Sequence, residues 1–250
     1  MKKLSLLLFA VLMFFAGGGE FLSAEQAQGP VEGQNWTSPS TGMEFVWIPQ
    51  LEIWVGKYEV TNAEYRKKKP GHNSGEFEGH TLNRDRQPVV RVNFDDGKAY
   101  AKWLTERDSR ALASGYRYRL PSEYEWLRYA QCGDGRQYPW GDNWPPVSGQ
   151  AGNYHGQEGA GDWVKIPGYN DGFPVTAPVD ELWMNPWGLA GVGGNVGEAC
   201  ASGASEASFG AWRGASWRKV SRDNLRVWFR RDSGGAARSI IGGFRLVLSR

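Results

Sequence analysis

The 250-residue chain has only two cysteines, Cys132 and Cys200, and only three histidines, His72, His80 and His155. Two cysteines are too few for a disulfide-stapled scaffold, and whether they pair with each other stays open. The histidines match no metal-ligand spacing, so they are read as surface loop residues rather than as part of a non-haem iron site. Charge of one sign is also scarce. The formal net charge is +2, and no run of like charge exceeds Arg66 to Lys69, so nucleic acid is not an expected partner. No internal repeat is visible, and the apolar run from Leu4 to Ala16 is too short to span a bilayer.

That run follows Lys2 and Lys3 and precedes Leu22-Ser23-Ala24, the pattern of a secretory signal ending before Glu25. The expectation is a signal peptide over 1–24 and export to the cell surface or periplasm. A lipoprotein signal would need a cysteine after Ala16-Gly17, where Gly18 stands. Membrane attachment, if any, is therefore expected only through the N-terminus.

Glycine (34) and tryptophan (13) are plentiful, a mixture suited to a loop-rich fold pinned by large aromatic side chains. The polar stretch 25–40 reads as a flexible leader and 41–250 as a single domain. Gly42 to Pro49 and Ile53 to Val60 are β-rich. Thr61 with Glu64 forms a capping box for a short helix ended by Pro70. Asn93 caps a second helix, with Asp95 and Asp96 in its first turn. Ser122 with Glu125 caps a third, whose Trp126, Tyr129 and Ala130 share one face. Gly133 to Gly210 has almost no periodicity and needs bound ions or anchored aromatics to hold it. Gly243 to Leu248 reads as a terminal strand.

Several segments in order carry a resemblance: Lys57-Tyr58-Glu59-Val60-Thr61-Asn62, Tyr118 to Trp126, Tyr138-Pro139-Trp140-Gly141-Asp142 and Thr176-Ala177-Pro178-Val179. They continue with Asn185-Pro186-Trp187-Gly188-Leu189, Gly194-Asn195-Val196-Gly197-Glu198, Arg213-Gly214-Ala215-Ser216-Trp217 and Gly243-Phe244-Arg245. Together they resemble the formylglycine-generating-enzyme (sulfatase-modifying factor) family, a branch of the C-type lectin fold. The resemblance implies an α+β, irregular, loop-rich domain with short helices around a small antiparallel sheet.

Enzymes of that family oxidise a substrate cysteine with a copper-binding thiol pair, in the region aligned here with Ser221 to Arg230. No cysteine follows Cys200, and neither Arg nor Val replaces a soft thiolate, so no copper and no catalytic residue are expected. The alternative is a divergent oxidoreductase of the family with a non-thiolate metal site; a structural subunit or maturation factor is a third. The family's calcium ligands map onto Asn153, Tyr154 (carbonyl), Asp171 and Phe173 (carbonyl), oxygen donors suited to that ion. Asx turns beside Gly152 and Gly172 explain the same residues without a metal. A second family site maps onto Glu198 and the carbonyls of Gly194 and Val196, but its remaining side-chain donor falls on Gly191. No Glu-Pro-Asn or Gln-Pro-Asp segment supports calcium-mediated sugar binding.

Within this superfamily the chain is also similar to the variable proteins of diversity-generating retroelements, whose mutated segment lies at the C-terminus of a lectin-like domain. Adenine randomisation of an Asn codon never yields Lys, Trp, Met, Gln or Glu, and none of these occurs from Phe229 to Arg250. The resemblance implies a non-enzymatic display protein with a variable segment from about 211 to 242. Its expected ligand-binding residues are Ser221, Arg222, Asp223, Asn224, Phe229, Arg231, Asp232, Ser233, Ala236, Ala237, Ser239, Ile240 and Ile241, with Trp228 as central anchor or core. The expected ligand is a protein or other macromolecule. Arg226, Arg230 and Arg238 are expected to tie loops down, and Phe244, Leu246 and Val247 to be core.

Overall fold

A computed structural model describes residues 29–202, 208–232 and 234–250. The expected signal peptide and Ser233 lie outside the described residues. The core is built on a five-stranded antiparallel sheet in the order β1 (Trp36–Thr37), β2 (Glu44–Ile48), β3 (Ile53–Gly56), β11 (Val247–Ser249) and β6 (Arg117–Arg119). Its inward side chains Phe45, Trp54 and Leu248, with Leu246 just before β11, share one core cluster with Tyr65 of α1 (Asn62–Lys68) and Tyr100 and Leu104 of α2 (Phe94–Arg107). This is the arrangement that the α+β reading requires. A small hairpin pairs β4 (Glu76–Phe77) with β5 (His80–Thr81).

The three helices start where local chemistry dictates. Thr61, Asn93 and Ser122 each accept from the backbone N–H three residues on, and Glu64, Asp96 and Glu125 each accept in return, so three complete capping boxes form. The third box opens α3 (Glu123–Ala130), whose Trp126, Tyr129 and Ala130 are buried as the shared face predicts.

The leader reading is corrected at its C-terminal end. Trp36 and Thr37 pair with Phe45 and Glu44, the Trp54 indole donates to Gln34 O at 2.7 Å, and Ser38 Oγ donates to buried Asp108 at 2.7 Å. The strand pairing is local, but the polar composition of this stretch conceals the side-chain anchors Trp54 and Asp108, which lie 20 and 70 residues from their partners. The terminal strand is also corrected. β10 (Gly242–Gly243) pairs in parallel with β7 (Gly197–Ala201), in a second sheet ordered β10-β7-β8-β9 with β8 (Phe209–Arg213) and β9 (Arg230–Arg231). Phe244 to Leu246 then carry the chain across to β11 in the first sheet. A Cβ at Gly243 would lie 2.7 Å from Val89 O, so only glycine permits this close passage.

Between α3 and β7 no strand or helix occurs, and this long connection is held by aromatic side chains. Tyr138 stacks on Trp140 with centroids 4.8 Å apart, and Tyr154 packs against both Trp140 and Tyr169. Cys132 and Cys200 are free.

Candidate ligand-binding face and cation site

The second sheet positions the C-terminal segment. Glu123, the first residue of α3, accepts from Arg213 of β8 at 2.7 Å and from Arg230 of β9 at 2.8 Å. Burial raises the Glu123 pKa, but Arg230 and Arg213 outweigh it and hold the carboxyl below the ordinary range. Arg226 donates to Asp223 and Gln137, and Arg238 to Asp96 and to Arg91 O. The three arginines expected to tie loops down therefore do so.

Beyond these arginines, scaffold donors grip the main chain of the segment. Gly234 O accepts from Trp212 Nε1 at 3.4 Å, Gly235 O from Phe94 N at 3.0 Å and Ser239 O from Arg91 N at 2.9 Å. Ile240 O accepts from Trp217 Nε1 at 3.1 Å and Ile241 O from Gly197 N at 3.0 Å. Every residue supplies a carbonyl, so the grip at Ser239, Ile240 and Ile241 does not depend on side-chain identity, whereas Gly234 has a positive φ and a Cβ at Gly235 would lie 2.8 Å from Phe209.

The side chains of the same segment point outward or lie half-covered. Ser221, Arg222, Asp223, Trp228, Asp232 and Ala236 are exposed, and Asn224, Phe229, Arg231, Ala237, Ser239, Ile240 and Ile241 are half-buried. None of the expected display residues among those described is buried, whereas Leu225, Val227 and Gly242 to Leu248 are. Trp228 is 46% exposed, which answers whether it is anchor or core. Ile240 and Ile241 cover a cluster containing Trp217, Val90 and Leu82, so they contribute packing as well as surface.

No thiol chemistry converges on this face. Cys200 is fully buried, and Cys132 is half-buried 3.6 Å from Tyr129 O; desolvation raises both thiol pKa values. Buried thiols of this kind are inert compared with an activated thiolate. The reading of all three histidines as surface residues is corrected at His155, which is 2% exposed and has no hydrogen-bond partner on either ring nitrogen. Among the described residues no group of three or more His, Cys, Asp or Glu is arranged to hold a metal ion.

Oxygen donors do gather at the first calcium position. Asp171 accepts from Tyr154 N at 2.8 Å and from Phe173 N at 3.0 Å. Asn153 is fully buried; its Nδ2 donates to Val175 O and to Asn195 Oδ1, which leaves its Oδ1 without a partner. Glu158, absent from the sequence-based set, has both carboxylate oxygens shielded and unpartnered. Burial, with Glu158 adding its charge, pushes Asp171 up to about 8. A hard divalent cation would relieve desolvated carboxylates and an orphaned amide oxygen, which are the donor types that calcium takes. Asn153, Asp171 and Glu158 would supply side-chain oxygens, and Tyr154 and Phe173 carbonyls. Glu158 carried no local signal, since its burial depends on how the loop folds.

The second calcium set does not present a free carboxylate. Glu198 is wholly buried and bonded by Arg245 Nε at 3.1 Å, Arg245 Nη2 at 3.0 Å and Trp126 Nε1 at 3.0 Å. A Cβ at Gly191 would lie 3.4 Å from the Glu59 carboxylate. The guanidinium already supplies the positive charge that a cation would bring to Glu198.

The sulfatase-modifying factor enzyme 1-like domain model matches residues 13–250. The chain belongs to that family. It is 30% identical over 207 residues to the formylglycine-generating enzyme of Thermomonospora curvata, covering 82% of this chain and 57% of the relative. It is also 30% identical over 209 residues to the inactive C-alpha-formylglycine-generating enzyme 2 of Mus musculus, covering 79% of this chain and 59% of the relative. The chain thus spans less than two thirds of these relatives, and the family includes members named as the enzyme and members named as inactive. Among solved structures, Treponema denticola variable protein 1 superposes with a TM-score of 0.58 at 20% identity, covering 87% of this chain and 99% of that one, a likeness of fold.

Proposed function

We propose that this family member is an exported, non-enzymatic ligand-binding protein whose C-terminal segment is a substitutable display surface for a macromolecular ligand. The observation that carries the reading is the division of labour in that segment. Scaffold donors hold carbonyl oxygens of Gly234 to Ile241 while none of the described display side chains is buried. A loop held through its main chain keeps its path when its side chains change, which is what variable recognition needs. The absence of any cysteine in the region aligned with the copper-binding thiols supports the non-enzymatic part. The similarity of fold to a protein named as variable supports the display part. Calcium at Asn153, Asp171 and Glu158 would brace the long connection without taking part in chemistry.

The test is a library in which Ser221, Arg222, Asp223, Asn224, Asp232 and Ala236 are randomised together. Most members are expected to elute as folded monodisperse protein with wild-type circular dichroism. General unfolding of the library would overturn the reading, as would a stoichiometric redox metal in the purified wild-type protein.

A further inference from the structure

The chain as a whole carries 29 basic and 27 acidic residues, but they are unevenly placed. From Ala211 to Gly242 there are eight Lys or Arg against two Asp, an excess of six positive charges, so the remainder of the chain is acidic by four. Half of these cations belong to the scaffold: Arg213, Arg226, Arg230 and Arg238 each pair with a carboxylate. The others, Arg218, Lys219, Arg222 and Arg231, make no ion pair among the described residues, although the Glu78 carboxylate acts on Arg218 from a greater distance.

All four of these lie against aromatic side chains. The Arg218 guanidinium sits 4.2 Å from the Trp163 ring and 4.9 Å from Phe77. Lys219 Nζ lies 5.8 Å from Phe229, and Arg231 5.5 Å from Trp212. Arg222 donates to Tyr138 Oη at 2.9 Å. A ring face attracts and orients a cation without neutralising it, so the charge stays available to an incoming anion at reduced entropic cost. Lost hydration, with Arg231 and Arg218 nearby, pushes Lys219 below its ordinary range, and lost hydration lowers Arg231. Arg218 and Arg231 are thus close enough to act on Lys219, and Lys219 and Arg231 are partly desolvated.

We infer that this cationic, aromatic-backed face binds acidic protein segments, in which carboxylates alternate with aromatic or apolar side chains. The inference rests on the display reading and names its ligand class. The exposed Trp228 supplies an apolar anchor of the kind that dominates interfaces. A nucleic-acid strand fits less well. Asp223 and Asp232, with side chains 84% and 67% exposed, interrupt the cations that a continuous phosphate backbone would have to follow.

The test uses the purified chain and three fluorescent probes: a Glu-Glu-Tyr repeat peptide, the matching Lys-Lys-Tyr peptide and a single-stranded thymidine oligonucleotide. Anisotropy is expected to rank the acidic peptide at least about tenfold tighter than either of the others, weakening with added salt. Lys219→Glu with Arg231→Glu is expected to weaken that binding by at least about tenfold, whereas Lys69→Glu with Lys102→Glu, an equal change of net charge, leaves it within about twofold. If the first pair unfolds the chain, Lys219→Met with Arg231→Met keeps the packing stems and is read the same way. Equal effects of the two charge-changing pairs, no binding, or preference for the oligonucleotide would each overturn the inference. A library that folds while the acidic peptide fails to bind would remove the ligand class alone and leave display standing.

Discussion

The indole N–H of Trp217 donates to the carbonyl oxygen of Ile240 at 3.1 Å, while the Ile240 side chain lies half-buried over the cluster that Trp217 anchors. The scaffold residue thus holds the main chain of the display segment. Trp217→Phe keeps a ring but deletes this bond, and is expected to cost about 1 kcal/mol. Asp232→Ala removes an exposed side chain and should stay within about 0.5 kcal/mol, and Arg231→Ala, half-buried against the Trp212 ring, should cost no more than about 1 kcal/mol. Ile240→Ala, half-covered, falls between surface and core, at about 1 kcal/mol. Urea unfolding measures all four. Losses of several kcal/mol at Arg231 and Asp232 would mean that the segment is structural rather than displayed.

Arg245 links the two sheets through its side chain. Besides Glu198, its guanidinium bonds Gly56 O at 2.8 Å, Lys57 O at 3.0 Å and Ala190 O at 2.7 Å, with no exposure at either charge. Removing one partner strands the other charge in the interior, so Arg245→Met and Glu198→Gln should each destabilise by about 3–5 kcal/mol. The double variant should lose much less than the two single losses added together. Additive losses in a double-mutant cycle would show that the pair is not coupled.

The parts of this fold that were legible in the sequence are those whose determinants are local. Each capping box closes within four residues, so Thr61, Asn93 and Ser122 announce their helices. The exposure of the described display residues agrees with what the resemblance to variable proteins implies, but the grip on the segment's carbonyls by Trp212, Trp217 and Arg91 is invisible in sequence because a main-chain acceptor has no residue identity. The stretch around Trp36 reads as leader because Tyr118, which accepts from the Trp36 indole, lies 82 residues on, and the Ser38–Asp108 bond that follows is likewise tertiary. His155 and Glu158 looked like loop polar residues for the same reason.

Calcium should stabilise the chain if Asn153, Asp171 and Glu158 form its site. Isothermal titration is expected to show a single binding event, and Tm should rise by several degrees between excess EDTA and millimolar calcium. Asp171→Asn should abolish both signals. Glu158→Gln should weaken both while leaving the calcium-free Tm unchanged or raised, because it removes an uncompensated buried carboxylate. Calcium-insensitive melting of the wild type would remove the ion from the account.

Glu123 makes a separate prediction about acid. Its folded-state pKa is depressed by Arg230 and Arg213 against the opposing effect of burial. A carboxyl with a lowered folded pKa contributes stability above its unfolded pKa, and that contribution disappears as pH falls through the folded value. Glu123→Gln should therefore lower Tm most at pH 6–7, and its difference from wild type should shrink as pH drops from about 4.5 toward 3. Because Glu123 holds both β8 and β9, its protonation should also loosen the display segment before the main core. Limited proteolysis with pepsin then gives first cuts between Trp228 and Asp232 in the wild type at pH 3. First cuts within α2 or β3 would mean that the ion pairs at Glu123 do not control the attachment of the segment.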